Sequence, residues 1–318
     1  MADCDECRRL QQQDQQQEQP FPFVRRRLWR RLLTASSQHT AQHGRTAEDF
    51  RYDYSLDPYR LKKDIRHCFK ELSVDDGLRA FLRQCYERHA RLFPFFVDLF
   101  SFHILRIFMS PTTTNALCFR GGMYVLSKEQ LRLLLDLDPT TQLDRLLDIG
   151  AGDGGVTAEL APLFQHVDVT ETNRMMRWRL AQYPDWTCHD EQTWKDTPYR
   201  FDVITCFNVL DRCELPWTLL QDMRDKLTPN GHLVVALVLP YSPYIDDHGP
   251  RGRRPREQLQ LFGACYEDYI NAFHHFVAQP LGMEITAIAR APYMCEGDMY
   301  KPFYLLHDFI IVLRRKHG

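Results

Sequence analysis

"RLLDIGAGDGG", residues 145–155, sets four glycines and two aspartates directly behind a short apolar run. A strand-like run that breaks into glycines predicts a tight turn opening a helix. Gly150, Gly152 and Gly155 satisfy G-x-G-x-x-G, the spacing that cradles a dinucleotide pyrophosphate. Gly150, Gly152 and Gly154 equally satisfy the tighter G-x-G-x-G of adenosylmethionine sites. The two spacings imply different chemistry, and the surrounding sequence must separate them.

Downstream and upstream of the turn, apolar runs alternate with helical spacing. The strands predicted are 145–149, 166–170, 186–188, 202–207, 232–239, 284–291 and 307–315. Helices are predicted in "KEQLRLLLDL", "GVTAELAPLF", "NRMMRWRLAQY", "LPWTLLQDMRDKL" and "CYEDYINAFHHF", the first introduced by a capping box at Ser127 and Gln130. Strand, helix, strand repeated predicts an open, mostly parallel, doubly wound α/β sheet. The last two strands have no helix between them and are expected to form an antiparallel hairpin at one edge.

Charge then weighs the two spacings. A dinucleotide pyrophosphate sits on the helix N-terminus after the glycines, where Asp153 would oppose it. A sulfonium and an ammonium would instead find Asp148 and Asp153 complementary. Glu171 ends the second strand about 20 residues after the turn, where a carboxylate accepts from ribose hydroxyls of either ligand. The aspartates and the terminal hairpin therefore favour S-adenosyl-L-methionine.

With 318 residues, 44% of them hydrophobic and 26% charged, the chain is of ordinary globular make-up, and its net charge of −2 gives no field for nucleic acid. "RLQQQDQQQEQPFPF" is too polar to offset its conformational entropy, so residues 1–48 are expected to be a disordered tail. Within it, the basic, leucine- and tryptophan-bearing stretch 24–33 fits a membrane-surface helix, a nucleic-acid patch or a plain polar helix. Residues 57–110 carry helical spacing and predict two to four helices, a cap over residues 49–126. The run 93–109 holds Asp98, His103 and Arg106 and is too short and too charged for a membrane span. Ten scattered cysteines, whose only C-x-x-C (Cys4 and Cys7) has no second pair to complete a zinc site, and no signal-like start point to a reducing compartment, the cytosol by default, with no metal centre expected.

Ligands in open α/β sheets sit beyond the carboxyl ends of the strands. There "FNVLDRCELP" places Asn208 and Asp211 just after the fourth strand. The connection "APYMCEGDMYKPFYLLHDF" is expected to bring Tyr293, Glu296, Asp298, Tyr300 and Tyr304 over the same mouth. Asp211 beside Arg212 also fits a local ion pair, and Tyr304 a core position.

Taken together, "LLDIGAGDGGVT", "NVLDRCELP", "VALVLPYSPY", "FRGGMYVLS" and "PYMCEGDMY" resemble the DREV family, the protein-histidine N-pros methyltransferases, from about residue 52 to the C-terminus. The resemblance implies a class I, Rossmann-like sheet of seven strands over residues 127–318 that uses S-adenosyl-L-methionine. Its implied substrates are proteins bearing His-x-His motifs with a small x. By position, Asp148, Gly150, Gly152, Glu171 and Asn208 resemble the family's cofactor contacts, and Asp211 and Tyr304 its substrate-holding, catalytic residues. The glutamine-rich start departs from the apolar start of animal relatives, leaving endoplasmic reticulum or mitochondrial association as alternatives to the cytoplasm. A non-catalytic cofactor-binding module and a small-molecule methyltransferase are the competing functions.

That substrate suits the chemistry. A neutral imidazole already offers a lone pair near pH 7, so the enzyme has only to choose the tautomer. A carboxylate such as Asp211, accepting the distal N–H, leaves the nitrogen nearer the main chain free and stabilises the cation that forms. In an extended peptide residues i and i+2 share a face, so two imidazoles enter one groove while a bulky residue between them meets its wall.

Overall fold

The computed structural model describes residues 46–90, 121–245, 254–297 and 301–316. The glutamine-rich stretch, the basic segment 24–33, the run 93–109, Asp298 and Tyr300 lie outside the described residues. The quoted turn follows β2 (Leu143–Ile149), which pairs in parallel with β3 (Phe164–Thr170) on one side and β5 (Phe201–Phe207) on the other. Beyond β3 lies β4 (Trp186–His189), and beyond β5 lies β6 (Leu227–Val238), both parallel. Leu146 and Leu147 are adjacent and both fully buried, as are Leu233 to Leu237, so this part of the sheet is covered on two faces.

One face carries α5 (Pro216–Lys226) and α6 (Tyr266–Phe273), packed on Leu147, Ile204, Val235 and Ile311. The other carries α2 (Lys128–Leu135), α3 (Gly155–Leu160) and α4 (Arg174–Leu180) over a cluster that holds Leu146, Val203, Val234 and Ile310. Each such side chain buried contributes about 1.5–3 kcal/mol of transfer free energy. Pro216 opens α5 at the position where its missing N–H costs nothing. Ser127 and Gln130 form the expected capping box, with Gln130 N donating to Ser127 Oγ at 3.0 Å and Ser127 N to Gln130 Oε1 at 3.2 Å.

The terminal hairpin is present: β7 (Met283–Glu296) and β8 (Phe303–Arg315) are antiparallel, and β8 inserts between β6 and β7. Two features differ from the sequence expectation. The strands run on to Glu296 and Phe303, so Tyr293 and Glu296 belong to β7 and Tyr304 to β8, and only 297–302 connect them. Tyrosines and acids that looked like loop composition lie in register across the hairpin, Cys295 opposite Tyr304. Also, an eighth strand, β1 (Met123–Tyr124), closes the β7 edge through Met123 opposite Cys295. Two residues are too few to give a period, and the edge they cover is the long one.

Residues 57–72 correct the helical expectation as well. Leu61, Ile65, Cys68 and Leu72 are buried at helical spacing, yet the segment holds turns and one 3-10 turn at Arg66–Cys68. Side chains of α6 capture the backbone instead: Glu267 Oε1 accepts from Asp57 N and Asn271 Oδ1 from Lys62 N, each at 2.8 Å. Lys70 N donates to Ile288 O of β7, so the segment ends as a strap on the sheet. The one α-helix described in this region is α1 (Asp76–Ala90), docked on Tyr124 and Leu305 through Leu78 and Leu82.

A buried carboxylate ties the β2–β4 edge. Asp168 on β3 is fully buried and accepts from His189 Nε2 at 2.5 Å, Arg145 Nη1 at 2.8 Å and the Tyr199 hydroxyl at 2.9 Å. Burial alone would push its carboxyl up, but these three donors outweigh burial and hold it below the usual carboxylate range. A lowered folded pKa makes the stabilisation complete above the unfolded value of about 3.9 and lost as pH falls through the folded one. Asp168→Ala is expected to cost about 3 kcal/mol, the lower end for a buried pair because Arg145 keeps some access to water. Urea unfolding at pH 7 and pH 3 checks this; the gap between variant and wild type should narrow on acidification.

Candidate active site

The glycine turn is built from left-handed backbone. Gly150, Gly152 and Gly154 have φ of 74°, 58° and 83°, a region other residues enter at a cost. Gly150 and Ala151 donate N–H bonds to Thr170 O of β3, which pins the turn over the carboxyl end of that strand. Glu171 then accepts from Gly152 N at 3.0 Å and from Asn173 N at 2.7 Å, so the acid and the turn are one unit. A Cβ at Gly152 would meet no atom of the described residues within 4 Å, which leaves open space on the turn's exposed side.

Beneath it, Asp148 is held from both sides: Thr157 of α3 donates to Oδ2 at 2.5 Å and Thr205 of β5 to Oδ1 at 2.6 Å. Burial pushes its carboxyl up to about 6 despite those hydroxyls, with Glu171 adding to the rise. The position of Asp148 is thus under the turn, bolting strand to helix. Asp153 accepts from Gly155 N at 3.0 Å and pairs with Arg179 at 3.2 Å. Gly155 N is a helix-start donor that a pyrophosphate would need, and here an aspartate already occupies it. A cavity of about 310 Å³ adjoins this corner, walled by Asp153 and Arg179 and by Arg88 paired with Glu296 at 2.6 Å.

Beside the turn, Asn208 follows β5 with φ of 56°, left-handed although it is not glycine. Non-glycine residues hold such backbone where the surroundings enforce it, often in active sites. Its N–H donates to Ala236 O, and its side-chain Nδ2 donates to Asp308 Oδ2 at 2.8 Å. Asp211, three residues on, is 4% exposed, with Arg212 Nε 3.6 Å from Oδ2. Asn208, Asp211 and Asp308 therefore gather at the carboxyl end of β5. Tyr304 is buried on the same face of β8 as Asp308, about 13 Å along the strand at 3.3 Å per residue.

Asp308 was not singled out by sequence. The signal was present as a lone acid in "HDFIIVLRR", inside a strand otherwise apolar enough to be buried on both faces. The Tyr293 hydroxyl, expected over the mouth, donates instead to Met123 Sδ at 2.7 Å, and Glu296 accepts from Gly121 N and Gly122 N.

The doubly wound sheet with its reversed strand, the left-handed glycine turn and the acid bonded to it define a Rossmann-like methyltransferase fold. The cofactor of that class is S-adenosyl-L-methionine, and the residues present fit it: open space at Gly152, carboxylates in place of a phosphate site, and a buried Asn208 Oδ1 with no hydrogen-bond partner among the described residues. The DREV methyltransferase family model matches residues 54–315, and the chain belongs to that family. Among individual proteins, the mitochondrial ubiquinone biosynthesis O-methyltransferase of Schizosaccharomyces pombe is 28% identical over 108 residues, 30% of this chain and 38% of that one. The chain thus spans well under half of that curated relative. Of solved structures, YcgJ of Bacillus subtilis covers 59% of this chain and 98% of its own at 12% identity and a TM-score of 0.39. The N-methyltransferase NodS of Bradyrhizobium japonicum, solved with S-adenosyl-L-homocysteine, covers 74% and 99% at 17% identity and a TM-score of 0.37. No helix among the described residues is long and apolar enough to cross a membrane.

Proposed function

We propose that the chain transfers a methyl group from S-adenosyl-L-methionine to the N-pros nitrogen of histidine in His-x-His motifs of other proteins. The observation that carries this reading is the buried carboxylate of Asp211, three residues after Asn208 at the carboxyl end of β5 and within the electrostatic field of Asp308, to which Asn208 is bonded. Gly150, Gly152, Glu171 and Asn208 hold the cofactor, with Asp148 supporting the turn from below. When bound, the cofactor supplies a methyl carbon that accepts the ring's lone pair as its bond to sulfur breaks. Asp211 accepts the N-tele proton in a hydrogen bond and so presents N-pros unprotonated; as the ring becomes cationic, the same carboxylate stabilises it. Tyr304 lines the substrate side of the strand.

Incubating the purified chain with labelled S-adenosyl-L-methionine and either His-x-His peptides or a metabolite pool tests the reading. Label on N-pros, located by NMR of the product peptide, is the expected result. Label in metabolites with none in peptides would establish the small-molecule reading instead. Glu171→Ala is expected to weaken cofactor binding by roughly tenfold to a hundredfold, since hydrogen bonds to charged groups contribute about 1.5–3 kcal/mol. Titration calorimetry measures it, and an unchanged Kd would remove Glu171 from the site.

A further inference from the structure

Asp308 is fully buried in mid-β8, in register between Val238 of β6 and Ala291 of β7. Among the described residues its one side-chain hydrogen bond is the one from Asn208 Nδ2, and Asp308 Oδ1 and Asn208 Oδ1 are both buried without a partner. Buried polar groups left unsatisfied are costly, and a native chain keeps them where a ligand or a proton completes the set. An asparagine amide shows an acceptor on one side and donors on the other. An ionised carboxylate only accepts, so it fixes which side faces it; a neutral carboxyl both donates and accepts and fixes nothing.

We propose that Asp308 is a positioning residue of the cofactor site: by accepting from Asn208 Nδ2 it commits Asn208 Oδ1 to accept from bound S-adenosyl-L-methionine, and protonation of Asp308 removes that commitment. The inference rests on the reading of Asn208 as a cofactor contact, and not on the identity of the methyl acceptor. Burial pushes the Asp308 carboxyl up to about 8; the Asn208 bond opposes the rise, Asp211 adds to it and Arg212 opposes it. Tyr52, Tyr293 and Cys295 also lie within its field. The sign follows: at pH 7 the free site holds the proton, and a ligand that requires the ionised form drives it off.

Calorimetric titration with S-adenosyl-L-methionine alone, at pH 7 in buffers of different ionisation enthalpy, reads that proton directly. The wild type should release most of one proton per ligand bound in excess of Asp308→Asn, in which the ligand's own ionisation is unchanged and cancels. The variant should also bind about tenfold more weakly at pH 9, where the wild-type carboxylate is ionised. The reciprocal double variant, Asn208→Asp with Asp308→Asn, restores an acceptor at position 208 and should recover most of the loss. A folded Asp308→Asn chain that binds within twofold of wild type, or releases the same proton, overturns the proposal. Should that variant fail to fold, NMR of the wild-type Asn208 side-chain amide decides: its signals should shift with a midpoint near 8, and pH-independent signals overturn the proposal. No methyl acceptor is present in any arm, so a wrong histidine assignment leaves these results unaffected.

Discussion

Asp211→Asn is expected to lower the rate of methyl transfer to a His-x-His peptide by about a hundredfold to ten-thousandfold, the range seen when a positioned acid or base is lost. The fold should persist. The amide is nearly isosteric, and the main chain at 211 is held independently by Tyr244 N donating to Asp211 O at 2.9 Å. Arg212 loses its neighbouring carboxylate while its Nε and Nη2 are buried without another partner among the described residues, so a loss of stability of about 3 kcal/mol accompanies the change without abolishing the fold. Cofactor affinity should change little, because the substitution leaves the glycine turn, Glu171 and Asn208 in place, and loss of the Asp211 charge only eases ionisation of Asp308. What the amide cannot do is hold the proton on N-tele alone: its carbonyl accepts that N–H, yet its NH2 equally favours the opposite tautomer, and it carries no charge to set against the forming imidazolium. The wild-type rate should also fall at low pH as the substrate ring protonates, with a midpoint near about 6.5. Single-turnover rates on a defined peptide measure both effects. A variant that methylates N-pros at the wild-type rate would show that Asp211 does not orient the ring.

How far this site was legible in sequence depended on which residues carry local signals. The glycine turn and Glu171 declare themselves because left-handed backbone demands glycine and because the acid falls one strand later, and the structure joins them through Gly152 N. The seven longer strands were legible from apolar runs, with ends displaced by up to five residues where pairing extends them, as at Glu296 and Leu227. Residues 57–72 misled for a tertiary reason: Glu267 and Asn271, more than two hundred positions away, take the backbone donors that a helix would have used. Asp308 was hidden for a similar reason. A single acid in "HDFIIVLRR" has no period, and its meaning comes only from Asn208, a hundred residues earlier, turning its amide toward it.

Gly152→Ala is expected to separate ligand space from packing space in the turn. At φ of 58° an alanine stays in the left-handed region at about 1–2 kcal/mol, and its Cβ meets no atom of the described residues within 4 Å. The melting temperature should therefore fall by only a few degrees, roughly what that strain predicts for a domain of this size. Affinity for S-adenosyl-L-methionine should fall by about a hundredfold, because the methyl group projects into the open space next to Glu171 and overfilling a fitted site costs about 1–3 kcal/mol. Gly150→Ala makes the contrast. Its Cβ would lie 2.7 Å from Val209 Cγ2, a side chain stiff at χ1, so the Val209 segment carrying Asn208 would have to move. That variant should lose stability and binding together. Melting curves and calorimetric Kd values for both variants provide the test. A Gly152→Ala chain that binds with wild-type affinity would mean that the open side of the turn is solvent and that the cofactor lies elsewhere.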